Sequence, residues 1–359
     1  MGKRTIIPFG PQHPVLPEPI HLDLVLEDET VVGAIPRIGY IHRGLEKLVE
    51  KKDFQQYTYV AERICGICSF MHGMGYCMTI EKIMQIEVPA RAEFLRTIWA
   101  ELSRMHSHLL WLGLTADAFG FESLFMHTWR LREKVLDIFE ETTGGRVIFS
   151  VCDIGGVKKD IDDNMLAKIV TVLTELEQEL KTLTDVFLHD SSVKHRTCGV
   201  GVLSKQAAVA LGAVGPTARG SGVAKDMRTY GYAAYSKLDF TPIIEQQGDA
   251  YARMKVRIGE VFQAARLIKA AINLIPEGPI NVRYKGNPTG EAFLRIEQPR
   301  GTVLYYVKGN GTKFLTRFRA RTPTFANVPA LLETLKGSSL ADVPVLVLTI
   351  DPCISCTER

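Results

Sequence analysis

Glu62-Arg63-Ile64-Cys65-Gly66-Ile67-Cys68 and Asp351-Pro352-Cys353-Ile354-Ser355-Cys356-Thr357-Glu358-Arg359 stand near opposite ends of the chain, and each carries a Cys-x-x-Cys pair. One such pair alone is a redox dithiol, a disulfide or half of a zinc site. Two together make a four-thiolate metal site the leading reading, because sulfur donors at paired spacing hold nickel, zinc or iron far better than they hold any hard cation. A structural zinc site on the same four cysteines is the alternative. In a helical register Cys65, Cys68 and His72 share one face, being spaced by three and then four positions. The second pair follows Val343-Pro344-Val345-Leu346-Val347-Leu348-Thr349-Ile350, which reads as a buried strand, with Pro352 fixing the backbone just before the ligands. The expected site joins the start of a helix to the end of a strand, so the fold must bring its two ends together.

Working outward, the pattern predicts an α+β chain, mainly α, with a central bundle of long helices and peripheral β-hairpins. Residues 20–35 alternate as a hairpin, with Glu27-Asp28-Glu29-Thr30 as its turn. The bundle is expected over about 44–275. Apolar residues at helical spacing place helices from Pro89 to about Ala116, Ser123 to Thr142, Asp162 to His189, and Pro242 to Leu274. Gly212, Gly215, Gly220 and Gly222 lie around Pro216 in a loop-rich stretch, Gly199 to Tyr235. They fit neither a P-loop nor a dinucleotide fingerprint, so they read as loop architecture. A β-rich segment covers about 292–318, a helix follows near Val328 to Lys336, and the terminal strand with the second cysteine motif occupies 343–359. No internal repeat or low-complexity linker divides the sequence, which favours a single domain over 1–359.

Composition narrows the function. The 359 residues are 46% hydrophobic and carry a net charge of +3, with both signs interspersed. That is enough apolar material for a large core, and it offers no basic footprint for nucleic acid. Met1 to Pro8 has two basic residues but no apolar stretch behind them and no myristoylation signal. No run of ~18 apolar residues occurs. A chain that reaches a membrane only through partners is expected. Of seven cysteines, read as reduced thiols, Cys77, Cys152 and Cys198 stand outside the paired motifs. They read as buried small apolar residues. Three thiols cannot supply an ordinary four-cysteine iron-sulfur cluster, so redox chemistry here would send its electrons through a cluster on another subunit.

The two cysteine motifs, with His72 four residues past Cys68, resemble the signature motifs of nickel-iron hydrogenase large subunits. Gly10-Pro11-Gln12-His13-Pro14, Gly39-Tyr40-Ile41-His42-Arg43-Gly44-Leu45-Glu46-Lys47 and Ser107-His108-Leu109-Leu110-Trp111 are similar to the quinone-site (49-kDa) subunit of complex I. Sharing both sets points to the energy-converting, membrane-bound hydrogenase branch, close to the Ech type. The resemblance implies a hydrogenase large subunit or complex I 49-kDa-like fold and a Ni-Fe centre. Cys65 and Cys353 would be terminal nickel ligands, Cys68 and Cys356 would bridge to iron, and the iron would carry cyanide and carbon monoxide.

The resemblance also assigns the residues around the metals. His72 would donate a hydrogen bond to a bridging sulfur, a role that tunes the metal, and its alternative is an ordinary core histidine. Arg300, in Gln298-Pro299-Arg300-Gly301, would sit over the open face of the metals, with a turn arginine as the alternative. Asp351 would pair with Arg300, or cap a turn. Glu18 would relay protons, although Pro17-Glu18-Pro19-Ile20-His21 departs from the usual pattern, and His21 and His42 are weaker relay candidates. Relatives that end in histidine hold a second metal with a glutamate matching Glu46. Here Arg359 cannot ligate, and a bidentate ion pair between Glu46 and Arg359 is expected instead.

Relatives of this kind are made with a C-terminal extension that is cut off, so the expectation is the mature form of a longer product ending at Arg359, or a gene that has lost the extension. The implied partners are a small subunit with an iron-sulfur cluster, ferredoxin-like and integral membrane subunits, and ferredoxin as electron carrier. The implied place is the cytoplasmic side of the cell membrane, with the complex coupled to ion pumping. The alternative is a complex I-like quinone-site or structural subunit without Ni-Fe. The four cysteines separate the two, because quinone chemistry has no need of two intact pairs.

Overall fold

The structure, a computed structural model, describes residues 4–359, so Met1–Lys3 of the N-terminal reading lie outside the described residues. Three strands, β1 (Arg4–Phe9), β2 (His21–Glu27) and β3 (Thr30–Arg37), form an antiparallel sheet in the order β1-β2-β3. The hairpin is the one its alternation predicts. Leu22, Leu24 and Leu26 point into the core and the residues between them do not. β1 was not expected; it pairs with β2 from Arg4↔Glu27 to Phe9↔Leu22. The buried face packs on Leu331, Leu335, Val343, Leu346, Val347, Ile350 and Ile354, so the N-terminal sheet and the C-terminal motif share one small core.

The bundle consists of α1 (Ser69–Met84), α2 (Ala90–Ala118), α3 (Glu122–Thr143), α4 (Asp163–His189) and α5 (Ala250–Leu274). Asp162 caps α4 by accepting from the Met165 amide, as its sequence position predicts. α2 is buried almost all round, and its buried charged residues pair with one another or with buried partners on neighbouring segments. Arg104 contacts Glu101 at 3.2 Å, Arg228 contacts Asp226 at 2.8 Å, and Arg219 contacts both Glu260 and Glu297 at 2.7 Å, all fully buried.

Three expectations need correction. Pro242–Gly248 is not helical: Gly248 adopts φ 70 and Asp249 caps α5 through the Ala252 amide, so the helix starts at Ala250. The stretch from Gly199 to Tyr235 is not plain loop, because it contains the short helices Lys205–Ala210 and Gly215–Arg219 and two 3₁₀ turns. Val343–Thr349 is a helix, not a strand; its apolar residues are buried on all sides, and an all-apolar run carries no periodicity to tell the two apart.

β4 (Thr289–Gln298), β5 (Gly301–Asn310) and β6 (Leu315–Arg321) form an antiparallel meander, followed by the helix Pro323–Leu335. Gln298 pairs with Gly301, leaving Pro299-Arg300 as a two-residue turn. Arg104 grips the strand end before this turn, donating to the Glu297 carbonyl at 2.8 Å and the Gln298 carbonyl at 3.3 Å. The glycine-rich stretch closes the turn from below. A Cβ at Gly215 would lie 2.3 Å from the Arg300 carbonyl oxygen, so only glycine fits that approach.

Candidate metal centre

Both cysteine pairs sit where helices begin. Cys65 lies in the turn after the short helix Tyr57–Glu62, and Cys68 is the N-cap of α1, its carbonyl accepting from the His72 amide at 3.1 Å. The expected shared helical face is therefore corrected: only His72 is inside the helix. At the other end Asp351, at φ 54, breaks the chain out of the helix Val343–Thr349, and Cys353 caps the four-residue helix Ile354–Thr357. The centre joins two helix starts instead of a helix start and a strand end.

The four sulfurs meet in the interior, first with first and second with second. Cys65 and Cys353 are 3.2 Å apart and Cys68 and Cys356 are 3.4 Å apart, all buried. Sulfurs of Cys65, Cys68 and Cys356 lie within 4.8 Å of one another. Burial pushes the Cys68 thiol up, but hydrogen bonds from Cys353, Cys356 and Cys65 and the nearness of His72 outweigh it and hold the group well below the ordinary thiol range. Four buried sulfurs at this separation are the donor set a soft metal needs.

Polar groups divide between the two sulfur pairs. Glu18 stands by the first: its Oε1 is 4.0 Å from the Cys353 sulfur, and its carboxylate accepts from the amides of Ile354 and, at 2.8 Å, Ser355. His72 stands by the second, with Nε2 3.3 Å from the Cys356 sulfur and Nδ1 2.8 Å from the Tyr305 hydroxyl. Arg300 is buried against Asp351, donating from Nη2 to Oδ1 and from Nε to the carbonyl, each at 2.9 Å. Burial alone would lower its pKa, but Asp351 and the sulfurs of Cys353, Cys65 and Cys68 raise it well above its ordinary value. His21 and His42 are not gathered here. His21 contacts Asp23 on the sheet, and His42 contacts the Glu358 carbonyl.

Glu46 and Arg359 do pair, at 2.8 Å, but through one guanidinium nitrogen, and the pair is only half-buried. Arg359 turns another nitrogen to the carbonyls of Cys356 and Thr357, while Arg319 takes the other Glu46 oxygen at 2.5 Å. Burial raises the Glu46 carboxyl, yet the Ala320 amide, Arg359 and Arg319 hold it below the usual range. Of the remaining cysteines Cys77 and Cys152 are buried as expected, whereas Cys198 is exposed.

Sequence reasoning missed four residues. Arg43 donates to the Ile64 carbonyl at 3.1 Å and to the Ser355 carbonyl at 2.7 Å, touching the segments on both sides of the centre. Glu358 accepts from the amides of Gly39 and Ile41, each at 2.5 Å. His106 donates from Nε2 to the Ile67 carbonyl at 2.7 Å, between the first two cysteines, while Arg132 faces its Nδ1 at 3.3 Å. Burial and the Arg132 charge hold its pKa down to about 3, so it stays neutral. The fourth is Tyr305. The only signal was the 39–47 motif, which pointed to the family and assigned no role to Arg43.

Comparison with known proteins matches this geometry to a family. Residues 43–114 match the model of the nickel-dependent hydrogenases, and residues 118–287 and 283–359 match that of the 49-kDa subunit of respiratory-chain NADH dehydrogenase. The chain is 40% identical to the membrane-bound hydrogenase subunit alpha of Pyrococcus furiosus, over 98% of this chain and 87% of that one. It is 39% identical to the carbon monoxide-induced hydrogenase of Rhodospirillum rubrum, over 98% and 99%. Among solved structures, a chain of the archaeal membrane-bound sulfane sulfur reductase superposes with a TM-score of 0.94 at 31% identity, covering 99% of this chain and 98% of that one. No helix among the described residues is long and apolar enough to cross a membrane.

Proposed function

Because this chain belongs to the family that joins nickel-dependent hydrogenase large subunits with the complex I 49-kDa subunit, we propose that it is the catalytic subunit of an energy-converting nickel-iron hydrogenase. One observation carries the reading: the four buried cysteines converge pair on pair, with an acid beside one sulfur pair and a histidine beside the other. A structural zinc site has no use for such a division.

Cys65, Cys68, Cys353 and Cys356 would hold the metals, and a bound Ni-Fe centre supplies the reversible conversion of dihydrogen to protons and electrons. Glu18 exchanges the proton at Oε1, next to the Cys353 sulfur. Arg300 offsets the negative charge of the thiolates without ever losing its own, and Asp351 keeps its planar fork oriented. His72 directs an N–H at the Cys356 sulfur. With four cysteines committed, no four-thiolate cluster can be built from the remainder, so electrons pass through a small iron-sulfur subunit to or from ferredoxin. Membrane partners then fix the complex to the cytoplasmic face, where turnover is coupled to ion translocation.

The test is metal analysis and infrared spectroscopy of the purified complex. About one nickel per chain with cyanide and carbonyl stretches supports the reading. Stoichiometric zinc without nickel overturns it in favour of a structural or quinone-site subunit.

A further inference from the structure

We infer that Tyr305 is a positioning residue that sets the tautomer of His72, so that the imidazole presents an N–H to the Cys356 sulfur. The inference rests on Cys356 being a metal-bound thiolate, and it adds a residue outside both cysteine motifs to the control of that sulfur.

A neutral imidazole carries one N–H. The ring nitrogens of His72 face two groups: Nε2 faces the Cys356 sulfur at 3.3 Å, and Nδ1 faces the Tyr305 oxygen at 2.8 Å. A metal-bound sulfur has no proton and can only accept, whereas a phenol can donate or accept. The surroundings of Tyr305 decide which it does. Its oxygen receives the Gln298 side-chain N–H at 3.2 Å, and the other acceptor in reach among the described residues, the Met71 carbonyl, lies at 3.4 Å. The phenol proton therefore goes to Nδ1, the shorter contact, and the imidazole proton resides on Nε2, aimed at sulfur. The opposite tautomer would set the Nε2 lone pair against the lone pairs of the sulfur and leave the phenol with the longer contact.

The fold holds this relay without slack. Tyr305 is fully buried in β5, in register with Leu294 and Ala320, and its ring meets His72 edge-on at 5.9 Å. α1 makes room for it with glycine: a Cβ at Gly75 would lie 2.2 Å from the phenol ring. Gln298 is the residue whose backbone Arg104 grips just before the Arg300 turn. One strand end thus orients both the guanidinium over the centre and the donor behind His72.

A hydrogen bond into a ligating sulfur draws electron density from it, and successive bonds in a chain polarise one another. The test uses the assembled complex and reads the infrared carbonyl stretch in wild type, Tyr305→Phe and Tyr305→3-fluorotyrosine. The inference expects a fall in frequency with Phe, which removes the donor and returns electron density to sulfur, and a rise with fluorotyrosine, whose phenol is a stronger donor. A merely structural role would not move the band in opposite directions. If Tyr305→Phe fails to assemble, the fluorotyrosine arm, which keeps the hydroxyl and nearly the same shape, still decides. Bands that stay in place in every variant that assembles overturn the inference and leave the hydrogenase reading intact. The absence of any carbonyl band overturns that reading and this inference with it.

Discussion

The two halves of the centre share one core but are braced by different means. All four cysteines belong to the main core, and at Cys65 and Cys68 the buried His106 also braces the turn between them. Cys353 and Cys356 pack into the same core, and polar contacts from the far end of the chain hold their segment as well. Glu18 caps their helix, Arg43 holds the Ser355 carbonyl, and Glu358 sits on the amides of Gly39 and Ile41. Packing couples a residue to the stability of the whole molecule, whereas polar contacts onto a terminal segment couple it mainly to local opening. Damage to the first half should therefore be read in global stability, and damage to the second in metal retention.

The largest effect should ignore this division. Cys65→Ser and Cys353→Ser each leave an incomplete ligand sphere, so nickel content and turnover should both fall to background, as measured by elemental analysis and hydrogen uptake. Retention of nickel in either variant would show that one half holds the metal alone.

Next comes the pH dependence of the packed half. Burial raises the Glu62 carboxyl to about 7 despite hydrogen bonds from Ser150, above its ordinary 4.5. The folded chain thus holds the extra proton. The stability this group contributes is full below pH 4.5 and is lost as pH rises to about 7, about 3 kcal/mol in total. His106 runs the other way: its folded pKa of about 3 lies below the ordinary 6.5, so its contribution is present above 6.5 and fades as pH falls. Between pH 4.5 and 6.5 the two slopes oppose. Urea denaturation of Glu62→Gln should reveal stability rising with pH in that window. A profile that keeps the wild-type shape would remove Glu62 from the account.

His106→Ala should lower global stability by about 2 kcal/mol, since it leaves the Ile67 carbonyl without its donor and opens a gap in the core. Smallest in global terms is Glu358→Gln, about 1 kcal/mol, because one acceptor oxygen is kept. Its mark should be faster nickel loss to a chelator at an almost unchanged denaturation midpoint. If His106→Ala and Glu358→Gln instead change both quantities in the same proportion, the contrast between a packed and a clasped half is wrong.

Legibility in the sequence follows the same line. Helix α4 could be read because its apolar residues recur at one period, and the hairpin because Leu22, Leu24 and Leu26 take every second position. Val343–Thr349 could not, since burial on every side erases the period. The start of α5 was misplaced although Asp249 carried a capping signal, because the apolar pattern upstream of it outweighed one residue. At the centre the cysteines announce themselves by residue type and spacing, whereas His72 and Arg300 take their roles from the family resemblance. Arg43, Glu358 and His106 act on backbone carbonyls and amides, which any sequence supplies, so nothing in the letters marks their targets. Tyr305 depends on the register of a sheet that meets α1 only in three dimensions.

That the second cysteine pair is fastened by residues 18 and 39–46 also bears on the time course of folding. Closing a loop over the whole chain costs only about 0.6 kcal/mol more than closing one half as long, so the distance between the ends is a small thermodynamic burden. It is a large kinetic one, since contacts between remote segments form slowly. The α2–α3 pair of the bundle gathers from neighbours in sequence, while the clasp must wait for the two ends to find each other. The Cys65–Cys68 turn should therefore form before its counterpart arrives, with closure of the proposed ligand set a late event of folding.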